Sequence, residues 1–329
     1  MLRILRWTAV QVLVCLSLGA TIVGAEAPER LAPGIERFEA GDLEGARRLF
    51  EAGDSGVNGA WIDYYLGRIE LGQGDNEAAL ERLNAASEAD PKSSLFILWL
   101  GKAYVRRIDQ VGMLKKMGVA KKAQSSFERA VELAPDDYEA REALMDYYLN
   151  APSIAGGSRD KAMEQATEMV KRDAAKGHLL MGRIRIEEED WEVAVREYRA
   201  AVDAGEQTSS VYYWLGFAAQ QLEDWDAAFD AFEMAIEVDK QSLPPYYQFA
   251  RTAIFSESRL GQAAEFLIFY IKQPQQDGSP AAEHAHWRLG MIYELQDRDD
   301  LAATEYREAL ELDPKHEEAK KALAALGSN

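Results

Sequence analysis

An all-α fold of stacked helix pairs is the architecture this sequence predicts, and three observations predict it. Ala followed four residues later by a bulky apolar residue recurs along the chain: Ala46/Phe50, Ala79/Leu83, Ala123/Phe127, Ala194/Tyr198, Ala228/Phe232, Ala263/Leu267 and Ala302/Tyr306, with a weaker copy at Ala162/Ala166. Successive copies lie 33, 44, 39, 32, 34, 35 and 39 residues apart. An apolar residue followed by Gly recurs upstream of several copies, at Leu66-Gly67, Leu100-Gly101, Met181-Gly182, Leu215-Gly216 and Leu289-Gly290. Each unit also holds two stretches with apolar residues at i, i+3, i+4 and i+7, the period of an amphipathic helix. A helix pair of about 34 residues cannot bury a core alone, so stacking on neighbours must supply the stability.

Composition is consistent with that architecture and excludes several alternatives. The 329 residues carry 37 Lys+Arg against 56 Asp+Glu, a net charge of −19, with 47% apolar content. That apolar content supports a large core. The acidity argues against a nucleic-acid partner, because phosphate binding draws on Lys and Arg. A single Cys excludes a disulfide framework and a Cys-rich zinc module.

The first element is a leader. Arg3 and Arg6 precede an apolar run from Trp7 to Val23, which ends at Gly24-Ala25 before the charged segment from Glu26. This is the layout of a secretory signal peptide cut after Ala25, and it predicts an exported, periplasmic protein. An uncleaved anchor is the competing reading, although Thr8, Gln11, Ser17 and Thr21 make the run marginal for a bilayer span. Cys15 lies in the leader behind Val14, which does not suit lipidation. Cleavage would leave residues 26–329 thiol-free at net charge −21.

Eight helix pairs follow over residues 27–316, with boundaries at 27–59, 60–93, 94–137, 138–174, 175–208, 209–243, 244–282 and 283–316. A capping helix is expected at 317–326. In the 209–243 unit, Tyr212, Leu215, Gly216 and Ala219 face Trp225, Ala228, Phe229, Phe232 and Ile236, and Asp224 is placed to cap the second helix. All ten Pro fall outside the helices so drawn. The clearest copy is Leu289-Gly290, Tyr293, Ala302, Tyr306, Ala309 and Pro314. These residues resemble the tetratricopeptide repeat, with Trp287 one place later than the family's leading Trp. The resemblance covers about residues 27–329 and implies a right-handed solenoid whose concave face binds proteins or peptides.

Three insertions interrupt the period. The first, Arg106 to Lys122, carries Arg106, Arg107, Lys115, Lys116, Lys121 and Lys122 against Asp109 alone, a +5 island. Ile108, Val111, Leu114 and Met117 recur at intervals of three, so the island extends both helices. Two readings stay open: packed, overlong helices with solvated charge, or a docking surface for an acidic partner or anionic membrane. The second insertion, Asn150 to Asp160, contains Pro152 and Gly156-Gly157-Ser158. It reads as a structured connection and lacks the Gly-Lys-Ser/Thr ending of a phosphate loop. The third, Gln273 to Pro280, reads as a flexible loop. The first two also resemble features of exported tetratricopeptide-repeat proteins of bacteria.

No catalytic, cofactor or metal site is expected. His178, His284, His286 and His316 lack zinc-protease spacing, no Gly-x-Ser-x-Gly elbow occurs, and the acidic runs sit in turns. The resemblance implies a concave face lined by Trp61, Tyr64, Arg68, Leu98, Lys102, Arg106, Lys176, Arg183, Tyr213, Phe217, Gln220, Gln221 and Trp287. Aromatic and Arg residues dominate interaction hot spots. Arg68, Lys102, Arg106 and Arg183 form a positive stripe suited to carboxylates, interrupted by Glu139, Glu142 and Asp146 of the fourth unit. Packing between repeats is the competing role for Trp61 and Tyr64. The expected function is a non-enzymatic scaffold or adaptor of the bacterial cell envelope. The rival is an assembly factor held at the membrane by its leader or by the island residues Arg107, Lys115, Lys116, Lys121 and Lys122; a hydrolase or carbohydrate-binding module is a distant third.

Overall fold

The computed structural model describes residues 27–53, 55–274 and 279–327, all of whose regular elements are helical. The expected leader, residues 1–25, lies outside the described residues, as does the centre of the third insertion. Two compact units are present, one ending at Ile184 and one beginning at Arg185.

The first unit contains α1 (Ala32–Glu39), α2 (Leu43–Glu51), α3 (Ser55–Gln73), α4 (Asn76–Ala89), α5 (Ser94–Arg107), α6 (Met113–Leu133), α7 (Tyr138–Asn150), α8 (Arg159–Val170) and most of α9 (Ala174–Glu187). In the second unit are α10 (Trp191–Asp203), α11 (Ser209–Gln221), α12 (Trp225–Val238), α13 (Pro244–Ser256), α14 (Leu260–Ile271), α15 (Ala282–Leu295), α16 (Asp299–Leu312) and α17 (Glu317–Leu326). Within each unit, consecutive helices pack antiparallel-fashion into pairs and pairs stack on their neighbours, which is the stacked-pair fold of the tetratricopeptide repeat.

The two sequence signatures are halves of one contact. In the α3/α4, α5/α6, α11/α12 and α15/α16 pairs the bulky residue of the second helix lies over the Gly of the first. A Cβ at Gly101 would come 2.6 Å from the Phe127 ring, one at Gly216 2.7 Å from Phe232, and one at Gly290 2.4 Å from Tyr306. Gly67 stands in the same relation to Leu83, at 2.7 Å. Only a residue without a side chain lets the helices approach so closely. The recurring Ala one turn before each bulky residue is fully buried in all eight copies, from Ala46 to Ala302.

The turns inside pairs follow from local chemistry as well. Gly41, Gly74 and Glu223 take left-handed φ of 78°, 83° and 58°. The Asp that follows each one caps the next helix, Asp42 accepting from the Gly45 amide (2.9 Å), Asp75 from Ala78 (3.1 Å) and Asp224 from Ala227 (3.3 Å).

Two expectations need correction. Pro33, Pro244 and Pro245 lie inside helices, in the first turns of α1 and α13. Proline is tolerated there because first-turn N–H groups have no acceptor within the helix. The basic island does not extend α5 continuously, because the helix ends at Arg107 and a 3-10 turn (Ile108–Gln110) precedes the long α6. Ile108 is buried there with Ala120 and with Ala155 of the second insertion. The Tyr147 hydroxyl is shared between the carbonyls of Ala120 (2.9 Å) and Ala155 (2.6 Å). Gly157 is forced by crowding, since a Cβ would meet the Ala151 carbonyl oxygen at 1.7 Å. Ser158 accepts from the Lys161 amide and so caps α8 itself, which makes the second insertion a packed connection.

Candidate functional site

In the first unit, the first helices of successive pairs carry a row of cations in one repeat register. Arg68, Lys102 and Arg183 each follow the small residue of the Leu-Gly or Met-Gly signature, on α3, α5 and α9. Arg68 is partly buried among three rings, its guanidinium carbon 4.2 Å from the centroid of Trp99, 4.6 Å from Phe38 and 5.2 Å from Tyr64. It donates to the Tyr64 hydroxyl at 2.8 Å, and its buried Nε has no acceptor. Stacking over ring faces stabilises a cation by quadrupole attraction, but it leaves guanidinium donors available for an oxygen acid.

Lys102 and Arg183 are neutralised from within. Helix α7 supplies Glu139, which meets Lys102 Nζ at 2.5 Å, and Glu142 and Asp146, which meet Arg183 at 2.5 and 2.8 Å. Tyr138 adds a hydrogen bond to Glu142 at 2.9 Å. Burial pushes the Glu142 carboxyl above its ordinary range despite Arg183 beside it. Burial also opposes the Arg183 charge, and Asp146 and Glu142 more than restore it, so its pKa rises. The continuous positive stripe expected from the sequence is therefore closed at two of its positions by one acidic helix. Arg106 is exposed near the end of α5, and Lys176 lies 5.5 Å from the Tyr138 ring.

Other expected face residues divide between surface and core. Leu98 is fully buried and belongs to the core of the first unit, because its register on α5 points toward the next pair. Tyr64 is 2% exposed, wedged against Phe96 (5.3 Å) and Trp99 (6.3 Å), and Trp61 packs edge-on to Phe96 at 5.0 Å. These three work between repeats. In the second unit, Gln220 is buried and donates to Thr252 Oγ1 at 2.7 Å. Phe217 is half-buried between Trp191 and Trp214, Tyr213 lies at the Gln248 amide, Gln221 is exposed, and Trp287 is half-buried 5.4 Å from His316.

The island is partly paired. Arg107 meets Glu77 at 3.1 Å and Lys116 meets Asp109 at 3.0 Å, while Lys122 lies 5.5 Å from the Tyr104 ring. Lys115, Lys121 and Lys122 are exposed.

Sequence reasoning missed Trp99, Tyr247, Arg251 and Arg288. On α13, Ala250 stands where the other units carry Gly, and Arg251 follows it in the register of Arg68, Lys102 and Arg183. A search for a small residue followed by a cation, instead of Leu-Gly, finds Arg251. Among the described residues, no group of three or more His, Cys, Asp and Glu is placed to hold a metal ion. None of the described helices is long and apolar enough to cross a membrane.

Family models described as tetratricopeptide repeat match residues 64–108, 179–242 and 284–316. No curated protein matches the sequence significantly. Among solved structures, that of Pseudomonas aeruginosa PilF is similar with a TM-score of 0.51 at 18% identity, over 70% of this chain and 96% of that one. The Cut9–Hcn1 hetero-tetramer of the APC/C gives 0.53 at 14% identity, over 90% of this chain and 53% of that one. A human IFIT1 dimer with PPP-AAAA gives 0.51 at 15% identity, over 89% and 71%. At such identities the likeness speaks for the fold, and the three segments matched by the tetratricopeptide-repeat models lie within that fold.

Proposed function

We propose that this tetratricopeptide-repeat chain is a non-catalytic scaffold that binds protein or peptide partners on the first-helix faces of its repeats, and that its partners present acidic groups. The observation that carries the reading is Arg68, a cation cushioned by Phe38, Tyr64 and Trp99 that, among the described residues, has no carboxylate beside it and a buried Nε without an acceptor. A fold optimised only for its own stability places an acid there, as it does for Lys102 and Arg183. Aromatic rings around an arginine supply the apolar and charge-assisted contacts typical of a hot spot.

We place the protein in the bacterial cell envelope, exported to the periplasm, on the strength of the basic and apolar leader ending at Gly24-Ala25. The internal pairing of Arg107 and Lys116 weakens the rival reading of a membrane-docking island. Mass spectrometry of the exported protein should find Glu26 at the N-terminus, and retention of Met1 would overturn cleavage.

A photo-crosslinking amino acid at position 106, on the exposed end of the α5 face, should capture a discrete protein in cells. The same group at exposed position 81 on α4 should not. Equal labelling from both positions would sink the binding-face reading.

A further inference from the structure

The second unit holds a cationic pair that no described residue neutralises through an ion pair. Arg251 lies one helical turn after Tyr247 on α13, so the two share a face. Arg288 on α15 donates through Nε to the Tyr247 hydroxyl at 2.7 Å and lies 5.0 Å over that ring and 5.1 Å from the Trp287 ring. Tyr247 therefore holds one guanidinium and stands one turn from the other. Neither arginine has an ion pair among the described residues. The buried Arg251 Nε lacks an acceptor and the buried Gln248 Oε1 lacks a donor. The Arg251 pKa is lowered, first by burial and then by the Arg288 charge. In a chain with 56 acidic residues, leaving two arginines together without one is a cost to the fold.

A cleft of about 550 Å³ opens beside Arg288, with Tyr247, His284, Trp287, Arg288 and His316 in its wall, and Arg251 stands outside that wall, one turn along α13 from Tyr247. His316 is buried and its Nδ1 accepts the Ala319 amide at 3.3 Å, capping α17. Its Nε2 lies 3.0 Å from His284 Nδ1, so the two imidazoles are hydrogen-bonded to each other. His284 is exposed at the cleft rim. Glu318 also lines the cleft, 3.4 Å from His316 Nδ1. The wall thus sets the Arg288 guanidinium and two imidazoles beside the faces of a tryptophan and a tyrosine.

We propose that Arg251, Arg288 and this cleft form an acceptor site for an acidic side chain of a partner polypeptide, with a flanking apolar residue of that segment seated against Trp287. The proposal rests on the peptide-binding reading above and names the residues that serve it in the second unit. Charge complementarity selects the occupant: two arginines match a carboxylate in bidentate geometry, and the adjacent rings match an apolar neighbour.

Two labelled nonapeptide pools test it by fluorescence anisotropy on the full chain, identical in their degenerate apolar flanks and differing only in a central Glu-Glu or Gln-Gln. The Glu pool should bind wild type and weaken as NaCl rises, and the Gln pool should bind at least tenfold more weakly. Arg251→Gln/Arg288→Gln should reduce Glu-pool affinity at least tenfold, whereas Arg196→Gln, on the exposed surface of α10, should change it less than twofold. The double variant should still melt cooperatively and within about 5 °C of wild type, because it loses the Arg288–Tyr247 hydrogen bond together with the repulsion between like charges. Undiminished Glu-pool binding by the double variant overturns this site and leaves the general peptide-binding reading standing. Failure of both pools to bind wild type overturns the site; capture of a discrete protein from position 106 would then show that the general reading survives. Loss of cooperative melting in the double variant marks the pair as structural and overturns the proposal. Tighter binding of a short single-stranded RNA than of the Glu pool, lost in the same variant, overturns it in favour of a phosphate ligand.

Discussion

The two units share one packing rule and differ in how they treat the cation that follows the small residue of a first helix. In the first unit, α7 carries Glu139, Glu142 and Asp146 and closes ion pairs with Lys102 on one neighbouring helix and Arg183 on the other. In the second, Arg251 occupies the same register and no acid among the described residues answers it, while Arg288 adds a further charge. A repeat therefore fixes where a cation stands without fixing whether it is spent on the fold. What decides is whether an adjacent repeat has replaced its own cation with acids, as α7 has.

The largest expected effect tests the shared rule. Gly101→Leu in the first unit and Gly290→Leu in the second each drive a side chain into a ring that a bare Cβ already meets at 2.6 or 2.4 Å. Each should cost about 2–3 kcal/mol in chemical denaturation, and a cost confined to one unit would break the common rule. Next comes the difference itself. Arg183→Gln strands Glu142 and Asp146, and with those side chains about a third exposed the loss should be about 1–2 kcal/mol, between the surface and buried limits. Arg251→Gln should cost nothing. Equal losses would erase the distinction between the units.

A smaller effect concerns the turns, where the first unit uses Gly41 and Gly74 and the second uses Glu223 at φ 58°. Glu223→Gly should raise stability by about 0.5–1 kcal/mol, because glycine takes left-handed φ without steric cost. No change there would mean that the unfolded-state entropy of glycine cancels the relief. The smallest effect is one of pH. The Gly45 amide and the Arg37 guanidinium hold the Asp42 carboxyl below its ordinary range. Its stabilising contribution is therefore complete above the ordinary carboxylate pKa and is lost as pH falls through the lowered value. Asp42→Asn keeps an oxygen for the cap and should flatten that acid limb of the melting-temperature profile.

The stacked helix pairs were legible because Gly and the bulky residue of each pair are complementary parts of one contact, so both recur with the same period. The binding face was legible only in part. Lys102 and Glu139 are 37 residues apart and Arg183 and Glu142 are 41 apart, so their pairing depends on how neighbouring repeats are rotated, which periodicity does not encode. Leu98 was assigned to the face by its repeat position, yet its side chain is fully buried in the core. Arg251 was hidden by Ala250, which removes the Gly that marks the register elsewhere. Tyr64 shows how one residue serves two purposes: it is core by burial and still the hydroxyl that receives Arg68.

The Tyr147 hydroxyl touches one carbonyl from the start of α6 and one from the 3-10 turn of the second insertion, and Ile108 is buried against both segments. Two departures from the repeat period, separated by a regular helix, are thereby fastened into a single module. Transplanting either segment alone into a regular array would leave a buried tyrosine with half its acceptors and an isoleucine facing an empty pocket. The two therefore stand or fall together as one packed unit.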